Sequence, residues 1–418
     1  MKFIFFAAFL YPVSIFAQTA KPLSLADCYN LAKQQYPLAK KKELINTSEL
    51  YSVENASKTF YPQVNVFGQA SYQSDVTEVP IKLPNANIPT ISKDQYKVYA
   101  EVSQLIFDGG VNKLQQHSIH ANAAVEKQQL EVELYKLRDR VSQLYFGILL
   151  LNEQLVQSGI LKNDIQLGLN KTNAAIANGI ALRSNGEILQ AELLKHEQRI
   201  TELKSTRKSY IEMLGQFINQ PLDTNTILEK PIIASVSNSI NRPELLFYDQ
   251  QQKLTAIKKD IIHAKNLPKI SLFMQGGYGR PALNMLKNDF SGYYIGGIRF
   301  GWNLSGLYTA KKEKAIADLD NRTVEIQRET FLFNTKLQLK QQEGEISKLE
   351  ELIQSDKAII ELRTHVKNTS LVQLENGVIT SSDYLREVNA ENQAIQNQSM
   401  HEIQLLMAKY NQQNITGN

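Results

Sequence analysis

The side chains of this sequence that could do chemistry are few and scattered. His117 and His120 stand three positions apart and could share one face of a helix, but no carboxylate or cysteine pattern completes a metal-ligand set. Cys28 is the only cysteine, which excludes an internal disulfide and a cysteine-cluster metal site, and we expect it to be a small buried residue. The glycines at 276, 277 and 279 lack the lysine and hydroxyl residue of a phosphate-binding loop, and no Gly-x-Ser-x-Gly occurs. We therefore expect no catalytic residue, metal or cofactor, so the elements of the fold must carry the function.

Composition and the first residues narrow the class of protein. The 418 residues include 46 basic and 42 acidic ones, and a net charge of +4 does not indicate nucleic-acid binding. A mean hydropathy of −0.31 excludes a polytopic helical membrane protein. Residues 1–17 combine a basic end, an apolar run and a final Ala17, which predicts a secretory signal peptide.

Three pairs of similar segments indicate a duplicated unit. Residues 61–72 resemble 267–278, residues 96–106 resemble 294–304, and residues 177–180 resemble 375–378. The pairs occur in the same order, and each unit is far longer than a solenoid repeat. We predict a first repeat at 18–222, a connector at 223–241 and a second repeat at 242–418.

Alternation of apolar and polar residues predicts two β-hairpins, at about 62–107 and about 268–304. The apolar positions are Val64, Val66, Ala70 and Tyr72, then Tyr96, Val98, Ala100 and Val102, then Ile270, Leu272 and Met274, and finally Ile298, Phe300, Trp302 and Leu304. Each strand is long enough to cross a membrane when tilted, and the aromatic residues near the strand ends suit an interfacial girdle. Soluble hairpins resting on helices remain an alternative, because alternation alone does not distinguish lipid from a protein core.

Heptad spacing predicts two long helical hairpins, at about 111–218 and about 307–414. The clearest run is Leu130, Leu134, Leu137, Val141, Leu144, Ile148, Leu151 and Leu155. The first, proline-free arm of each hairpin predicts an unbroken rod of about 100 Å.

The turns of these hairpins are marked in the sequence. Asn178-Gly179 and Asn376-Gly377 suit the left-handed caps at which helices end. The pairs Ser184 with Glu187 and Thr380 with Asp383 have capping-box spacing, so we expect each to begin a returning helix.

Four strands in one chain cannot close a barrel, and open sheet edges are not tolerated in hydrocarbon. The barrel must therefore be shared between copies, and three or more copies would leave a lumen. The polar alternate residues, Lys97, Glu101 and Arg299 among them, would line this lumen. We predict a conduit whose helical rods continue the wall into an aqueous compartment.

The order of these features resembles the TolC family of outer-membrane efflux channels. The matching motifs are Ser24-Leu25-Ala26-Asp27-Cys28-Tyr29-Asn30-Leu31-Ala32, Tyr61-Pro62-Gln63-Val64, Leu105-Ile106-Phe107-Asp108-Gly109-Gly110 and the two Asn-Gly turns. The resemblance implies a mainly α fold with a small β part, in which two tandem helix–β-hairpin–long helix–helix repeats assemble as a homotrimer. It implies a twelve-stranded β-barrel in outer-membrane lipid, continued by a periplasmic α-barrel. It also implies docking to a periplasmic adaptor (membrane fusion protein) and to an inner-membrane RND or ABC transporter.

Members of that family constrict the periplasmic tip with aspartate rings and with tyrosine or arginine links. Asp383 matches a ring aspartate, Asn185 is its equivalent in the first repeat, and Arg386 stands where a second acid is expected. Leu374 and Ile379 occupy the places of the linking tyrosine and arginine. The resemblance therefore implies a constriction at Asp383, Arg386 and Asn185 that is built differently. A charge at a helix N-terminus is the alternative role of Asp383, and a solvated helix residue that of Arg386.

The resemblance implies a passive trans-periplasmic duct of a tripartite efflux or type I secretion system, exporting small molecules or proteins. The alternative is a periplasmic coiled-coil adaptor without a pore of its own. Two helical hairpins and strands of membrane-crossing length favour the duct. Substrate choice would belong to the pump, which this chain does not encode.

Overall fold

The computed structural model describes residues 22–78, 90–232 and 239–418. The predicted signal peptide at 1–17 and part of the predicted connector at 223–241 lie outside these residues. The helices are α1 (Leu25–Gln35), α2 (Lys41–Ser57), α3 (Val111–Tyr135), α4 (Leu137–Ala177), α5 (Arg183–Ile218), α6 (Pro243–Lys265), α7 (Gly306–Glu375) and α8 (Ser381–Thr416). The strands are β1 (Gln63–Tyr72), β2 (Asp94–Phe107), β3 (Lys269–Arg280) and β4 (Ser291–Gly301).

The chain divides into two compact units, and each unit draws segments from both sequence repeats. The helical unit comprises Met1–Ala39, Leu134–Asn241 and Thr335–Asn418. The sheet unit comprises Lys40–Glu133 and Arg242–Asn334. Helix α7 contributes residues to both.

The sheet unit holds one four-stranded antiparallel sheet in the order β1-β2-β3-β4. Both predicted hairpins are present, and β2 and β3 pair with each other, so the hairpins of the two repeats form a single sheet. The register shifts once, between Leu105 and Phe107. Strands β1 and β4 are the edges.

The passage from β2 into α3 explains the Asp108-Gly109-Gly110 motif. The Asp108 carboxylate is buried and accepts the amide hydrogens of Gly110 at 2.8 Å and Asn112 at 2.6 Å, which satisfies donors at the start of the helix. Gly109 has a φ of +75°, and a Cβ there would lie 2.7 Å from the Cβ of Leu267. A side chain at this position is therefore excluded by both the backbone and the available space.

The helical unit has its main core where α1 packs on α4 and α5. The residues are Leu25, Cys28 and Ala32 of α1, Val141, Leu144, Tyr145, Phe146, Ile148 and Leu149 of α4, and Ile211, Leu214 and Ile218 of α5, with Leu228 and Ile403. Of the predicted heptad positions in this unit, those from Leu134 to Leu151 are buried and the last, Leu155, is half-buried. Cys28 is fully buried as expected, and burial raises the pKa of its thiol to about 12.

Charged side chains join helix α7 to α8, in addition to apolar contacts of Leu371 and Leu374. An ion pair joins Glu350 to Lys409 at 2.8 Å, and the Asp356 carboxylate lies 2.6 Å from the Nδ1 atom of His401. Many large apolar side chains of α7 remain exposed in the single chain, including Leu337 and Leu362. Exposure of this kind is typical of a surface that another chain covers.

Both Asn-Gly turns end their helices as predicted. The amides of Gly179 and Ile180 donate to the carbonyls of Ile176 and Ala175, at 3.0 and 2.9 Å. The second turn repeats this pattern, and its Gly377 has a φ of +69° while Gly179 has +75°. Each turn is therefore a Schellman cap, which uses glycine because the backbone is left-handed.

Two predictions about the helices were wrong. The first rod is not unbroken, because Lys136 separates α3 from α4; its ψ of −17° tightens the backbone toward 3-10 geometry. Ser184 and Glu187 do not form a capping box: α5 begins at Arg183 after Leu182, which makes no side-chain cap. The extended backbone that a cap requires falls two residues before Ser184, so its hydroxyl cannot reach the orphan amides.

One described helical stretch, Val111–Ala177, contains a window that is apolar and long enough to cross a membrane by length and composition. The α4 residues in this stretch form the core of the helical unit, which explains their apolar character without a membrane.

Candidate channel-forming site

The register of the sheet places the predicted apolar positions of all four strands on one face. Val66 pairs with Ala100, which pairs in turn with Gly276. Val102 pairs with Met274, and Leu272 pairs with Ile298. Because directly paired residues lie on the same face, the four alternating patterns coincide.

This apolar face is uncovered in the single chain. The exposed fraction is 73% for Val66, 61% for Met274 and 72% for Ile298. Apolar side chains that stay exposed to water do not gain the free energy of burial that normally stabilises a sheet. The face therefore needs lipid or protein against it.

Aromatic residues stand at both ends of this face. Trp302 lies just beyond the end of β4 that leads into α7, and its indole nitrogen donates to the carbonyl of Asn266 at 3.0 Å. At the opposite end the Phe290 ring stacks between those of Tyr96 and Tyr278. Trp302 lies eight positions after Tyr294, and an extended strand of this length covers about 27 Å, close to the apolar band of membrane barrels.

The other face of the sheet carries the predicted lumen residues, and two of them meet. Arg299 of β4 reaches across β3 to Glu101 of β2, with nitrogen–oxygen distances of 3.0 and 3.4 Å. The Gln275 amide also donates to Glu101, at 3.4 Å. Lys97 lies on the same face, four residues from Glu101, and its side chain covers Gly279. The structure therefore brings Glu101 and Arg299 together and keeps Lys97 separate.

Aromatic rings on this polar face were missed by the sequence analysis. Tyr99 lies against Gly277, and Phe273 lies against Gly297, its partner on β4. The Phe67 and Tyr99 rings are 5.1 Å apart. Rings that cover neighbouring glycines strengthen a sheet where glycine has no side chain to pack. Phe67, Tyr99 and Phe273 occupy the same alternate positions as the polar residues of their strands, so the alternation in the sequence could have predicted that these rings lie on the polar face.

The helical unit holds the two predicted tip turns, and a cleft lies between them. It is lined by Ile180, Leu182 and Asn185 from the first turn and by Val378, Thr380 and Ser381 from the second. Asn185 is half-buried there, and its amide donates to the carbonyl of Leu182 at 3.0 Å. The structure thus brings Asn178, Gly179, Asn376 and Gly377 into one tip region with Asn185.

Asp383 forms the predicted capping box with Thr380. The Thr380 hydroxyl donates to its carboxylate at 2.7 Å, and the Asp383 amide donates to that hydroxyl at 3.3 Å. Hydrogen bonds from the Thr380 hydroxyl and amide, with a smaller contribution from Arg386, lower the pKa of Asp383. The carboxylate is therefore ionised at neutral pH and complements the positive end of α8.

Arg386 is largely exposed and shares its charge between two acids. Its guanidinium lies 3.5 Å from Asp383 and 3.0 Å from Glu387. Glu387 also forms an ion pair with Arg363 of α7, at 3.4 Å. The acid at Asp383 is thus partly neutralised by its neighbour on the same helix.

A buried ion triad near the tip was not predicted. Lys367 of α7 lies 3.1 Å from Asp164 of α4 and 2.6 Å from Glu391 of α8, and only 16% of its side chain is exposed. Burial would lower the pKa of Lys367, but the bonds to Glu391 and Asp164 outweigh it and raise the pKa. The charged lysine therefore links three helices.

Close packing joins α8 to α4 beside this triad. The Tyr384 ring lies against Gly168, where a Cβ would be 2.5 Å from its Cε1 atom, and its hydroxyl donates to the carbonyl of Asp164 at 3.2 Å. Burial raises the pKa of Tyr384 to about 12. Tyr384 is therefore a neutral anchor between the two hairpins.

One member of the histidine pair, His120, lies against an acidic side chain. The Nδ1 atom of His120 lies 2.7 Å from Glu49, which also receives Lys127 at 2.6 Å. Within the described residues no group of three or more histidine, cysteine or acidic side chains is arranged to hold a metal ion.

Known structures share this fold over nearly the whole chain. The CusC channel matches with a TM-score of 0.66 at 13% identity, over 94% of this chain and 91% of that one. The open state of the Neisseria gonorrhoeae MtrE outer membrane channel matches with a TM-score of 0.66 at 12% identity, over 94% and 89%. The Campylobacter jejuni CmeC outer membrane channel matches with a TM-score of 0.63 at 12% identity, over 94% and 85%.

Sequence comparison adds nothing to these structural matches: no family model and no curated protein is similar to the chain. At this level of identity the matches establish the fold. The fold is that of the outer-membrane channels of the TolC family, so the resemblance found in the sequence is confirmed for the architecture of the chain.

Proposed function

We propose that this protein is one subunit of an outer-membrane channel, a passive trans-periplasmic duct. Three copies would join their sheets into a twelve-stranded barrel in the outer membrane, and their helices would form a periplasmic α-barrel. The observation that carries this proposal is the uncovered apolar face of the sheet between two aromatic ends. Lipid is the partner that such a face fits, since it matches both the apolar band and the interfacial rings.

The two unpaired edges support the association of copies. Strands β1 and β4 have free backbone groups along one side, and each unsatisfied group would cost several kcal/mol in hydrocarbon. Pairing β4 of one copy with β1 of the next would satisfy all of them. The polar face, with its Glu101–Arg299 pair, would then line a water-filled passage.

The wider system follows from the same proposal. The pattern at 1–17 would direct the chain across the inner membrane. The tip turns would face a periplasmic adaptor and an inner-membrane RND or ABC transporter, in a tripartite efflux or type I secretion system. Small molecules or proteins would pass through, with selection left to the transporter. A constriction at Asp383, Arg386 and Asn185 is part of the proposal.

Membrane flotation and cross-linking test the assembly. We expect the protein to float with outer membranes and to cross-link as a trimer. A water-soluble or inner-membrane species would overturn the proposal and favour the adaptor alternative.

Arginine substitutions on the two faces test which one meets lipid. Val66→Arg and Leu272→Arg should each impair trimer assembly by about 2–4 kcal/mol near mid-bilayer, because arginine is costly on a lipid-facing surface. Asn65→Arg and Ser271→Arg, at the neighbouring positions on the polar face, are the matched controls and should assemble normally. Trimer yield after detergent extraction measures the effect. Equal yields from both sets would show that the faces are assigned wrongly.

A further inference from the structure

The two ends of the sheet differ in what is attached to them. Helices α2 and α6 lead into β1 and β3, and β2 and β4 lead into α3 and α7. All four connections lie at one end, named here the helix end. The opposite end carries the connections between the strands of each hairpin.

Exposed lysines cluster in sequence around the helix end. They include Lys58, Lys113, Lys265, Lys311 and Lys312, and each lies within about a dozen residues of a strand terminus. Among the residues that the structure describes, none of the five makes an ion pair. Lys269 is left out because it opens β3 on the polar face, paired with Gly301.

Acidic residues at this end do not balance these charges. The Asp108 carboxylate is buried and engaged with two helix amides. Glu54, Asp260 and Glu313 are exposed but are fewer than the lysines. The helix end therefore carries a net positive charge.

The lysines lie just beyond exposed aromatic rings. Trp302 is 51% exposed and Tyr61 is 61% exposed, and both flank the strand termini. Aromatic rings at the edge of an apolar band, followed by lysines, are the pattern with which membrane proteins meet lipid headgroups.

The opposite end has a different balance. Arg280 is paired with Asp94, and its guanidinium lies over the rings of Tyr96 and Phe290. Asp75, Glu78 and Asp289 are exposed there, together with Lys93 and Lys287. Among the described residues, exposed acids therefore outnumber exposed lysines at this end, whereas exposed lysines outnumber exposed acids at the helix end.

We propose that the helix end of the sheet binds the headgroups of anionic phospholipids through these five lysines. The inference rests on the proposed insertion of the sheet in a membrane. The ammonium groups would reach the phosphates while Trp302 stays at the level of the glycerol backbone. Each lysine that reaches a headgroup should raise the preference for anionic lipid about fivefold, the equivalent of about 1 kcal/mol.

The chain offers a built-in probe, because Trp302 is its only tryptophan. The purified full-length protein is reconstituted in vesicles of phosphatidylcholine to which brominated phosphatidylglycerol or brominated phosphatidylcholine is added. We expect the brominated phosphatidylglycerol to quench Trp302 fluorescence more strongly at equal mole fraction. The difference should shrink at high salt, because screening weakens exposed charge pairs.

Variants assign the preference to the lysines. The triple change Lys265→Gln, Lys311→Gln and Lys312→Gln should abolish most of the preference while leaving quenching by brominated phosphatidylcholine unchanged. The matched control changes Lys204, Lys336 and Lys357 to Gln; these lysines are also exposed but belong to the helical unit.

Three outcomes would overturn the inference. The first is equal quenching of Trp302 by the two brominated lipids, which is expected if the lysines bind a protein partner instead. The second is a triple variant that keeps the full preference for phosphatidylglycerol. The third is a control variant that loses this preference to the same extent as the triple variant. Absence of quenching by either lipid would overturn the proposed membrane insertion as well, so failure of the two proposals can be told apart.

Discussion

Asp383 caps the start of α8, and it keeps this structural role whether or not it also contributes to conduction. Its carboxylate accepts from Thr380 and lies near Arg386 on the same helix. Because hydrogen bonds lower its pKa, the capped start of α8 is stabilised above the ordinary pKa of 3.8 and loses this stabilisation as the pH falls through the lower native value. Substituting Asp383 and Thr380 one at a time therefore separates the effect of the negative charge from the effect of the helix cap.

Removing the charge should alter conduction more than removing the cap. Asp383→Ala loses both, whereas Thr380→Ala loses the cap bond, at about 1 kcal/mol, and keeps the acid. If Asp383 contributes to a constriction, only Asp383→Ala should lower the cation preference of reconstituted channels, since negative rings favour cations. Reversal potentials in a salt gradient measure this. Identical potentials for the two variants would leave Asp383 with its cap role alone.

Lys367 should be the most sensitive lysine of the helical unit. Lys367→Met leaves the carboxylates of Asp164 and Glu391 close together and without a counter-charge, and breaking a buried pair costs about 3–5 kcal/mol. The control is Lys162→Met, whose pair with Glu197 is about as close at 2.8 Å but exposed, and should change stability by less than about 1 kcal/mol. Thermal unfolding followed by circular dichroism compares them. Equal shifts in Tm would contradict the energetic difference assigned to burial.

The same lysine shows why a sequence could not reveal the triad. Asp164 is 203 positions away from Lys367, and nothing near either residue marks the pairing. Asp383, in contrast, could be predicted to cap α8 because its partner is three positions away. Local hydrogen bonds follow from spacing, whereas contacts between distant helices depend on how the hairpins pack.

At the scale of elements, glycine decides how closely helices approach. Gly168 faces the Tyr384 ring across the contact between α4 and α8, whereas Gly159 on the same helix has open space around it. Both are helical glycines nine positions apart, so they differ mainly in what a methyl group would meet.

Alanine at these two positions should have opposite effects. Gly168→Ala should destabilise the helical unit by about 1–3 kcal/mol, because the added Cβ must displace Tyr384. Gly159→Ala should be neutral or stabilising by up to about 1 kcal/mol, since alanine is the better helix former. Hydrogen exchange of the α4 and α8 amides measures both. Destabilisation by Gly159→Ala would mean that backbone flexibility, not contact, explains the Gly168 effect.

Helices, strands and turns could be predicted from the sequence where the hydrophobic periodicity or the required backbone geometry is compatible with only one local structure. Alternation fixed both hairpins, and Asn178-Gly179 could be read as a helix end because only a left-handed residue makes that cap. The box at Ser184 failed because its spacing is satisfied by many sequences that never adopt the extended cap backbone. The pairing of β2 with β3 depends on contacts between repeats, which no local pattern encodes.

At the scale of the whole molecule, the sheet is incomplete at both edges. The proposed contact between copies joins β1 to β4 and is head-to-tail, so it uses two different surfaces. An interface of this kind predicts a specific cross-linking pattern. The natural Cys28 does not interfere, because its thiol is buried and its pKa is raised to about 12.

Paired cysteines should give a ladder that single cysteines do not. In the double variant Asn65→Cys and Ile295→Cys, one cysteine lies on each edge strand, in the same row across the polar face. Because ring closure staggers the strands at the seam, the β4 cysteine is moved in steps of two along the polar face, and at one of these positions a short bis-maleimide linker should yield covalent dimers and trimers. Either single variant should stay monomeric on denaturing gels. Dimers from a single variant would indicate that like edges meet, which would exclude the head-to-tail barrel.

The even number of strands has a consequence for stoichiometry. With four alternating strands per chain, β1 and β4 run in opposite directions, so any ring of copies closes with antiparallel pairing at every seam. A subunit with three or five strands would instead meet its neighbour in parallel. The hydrogen-bonding rules of the sheet are therefore satisfied equally by small and large rings, and the copy number must be decided by the curvature and packing of the remaining elements.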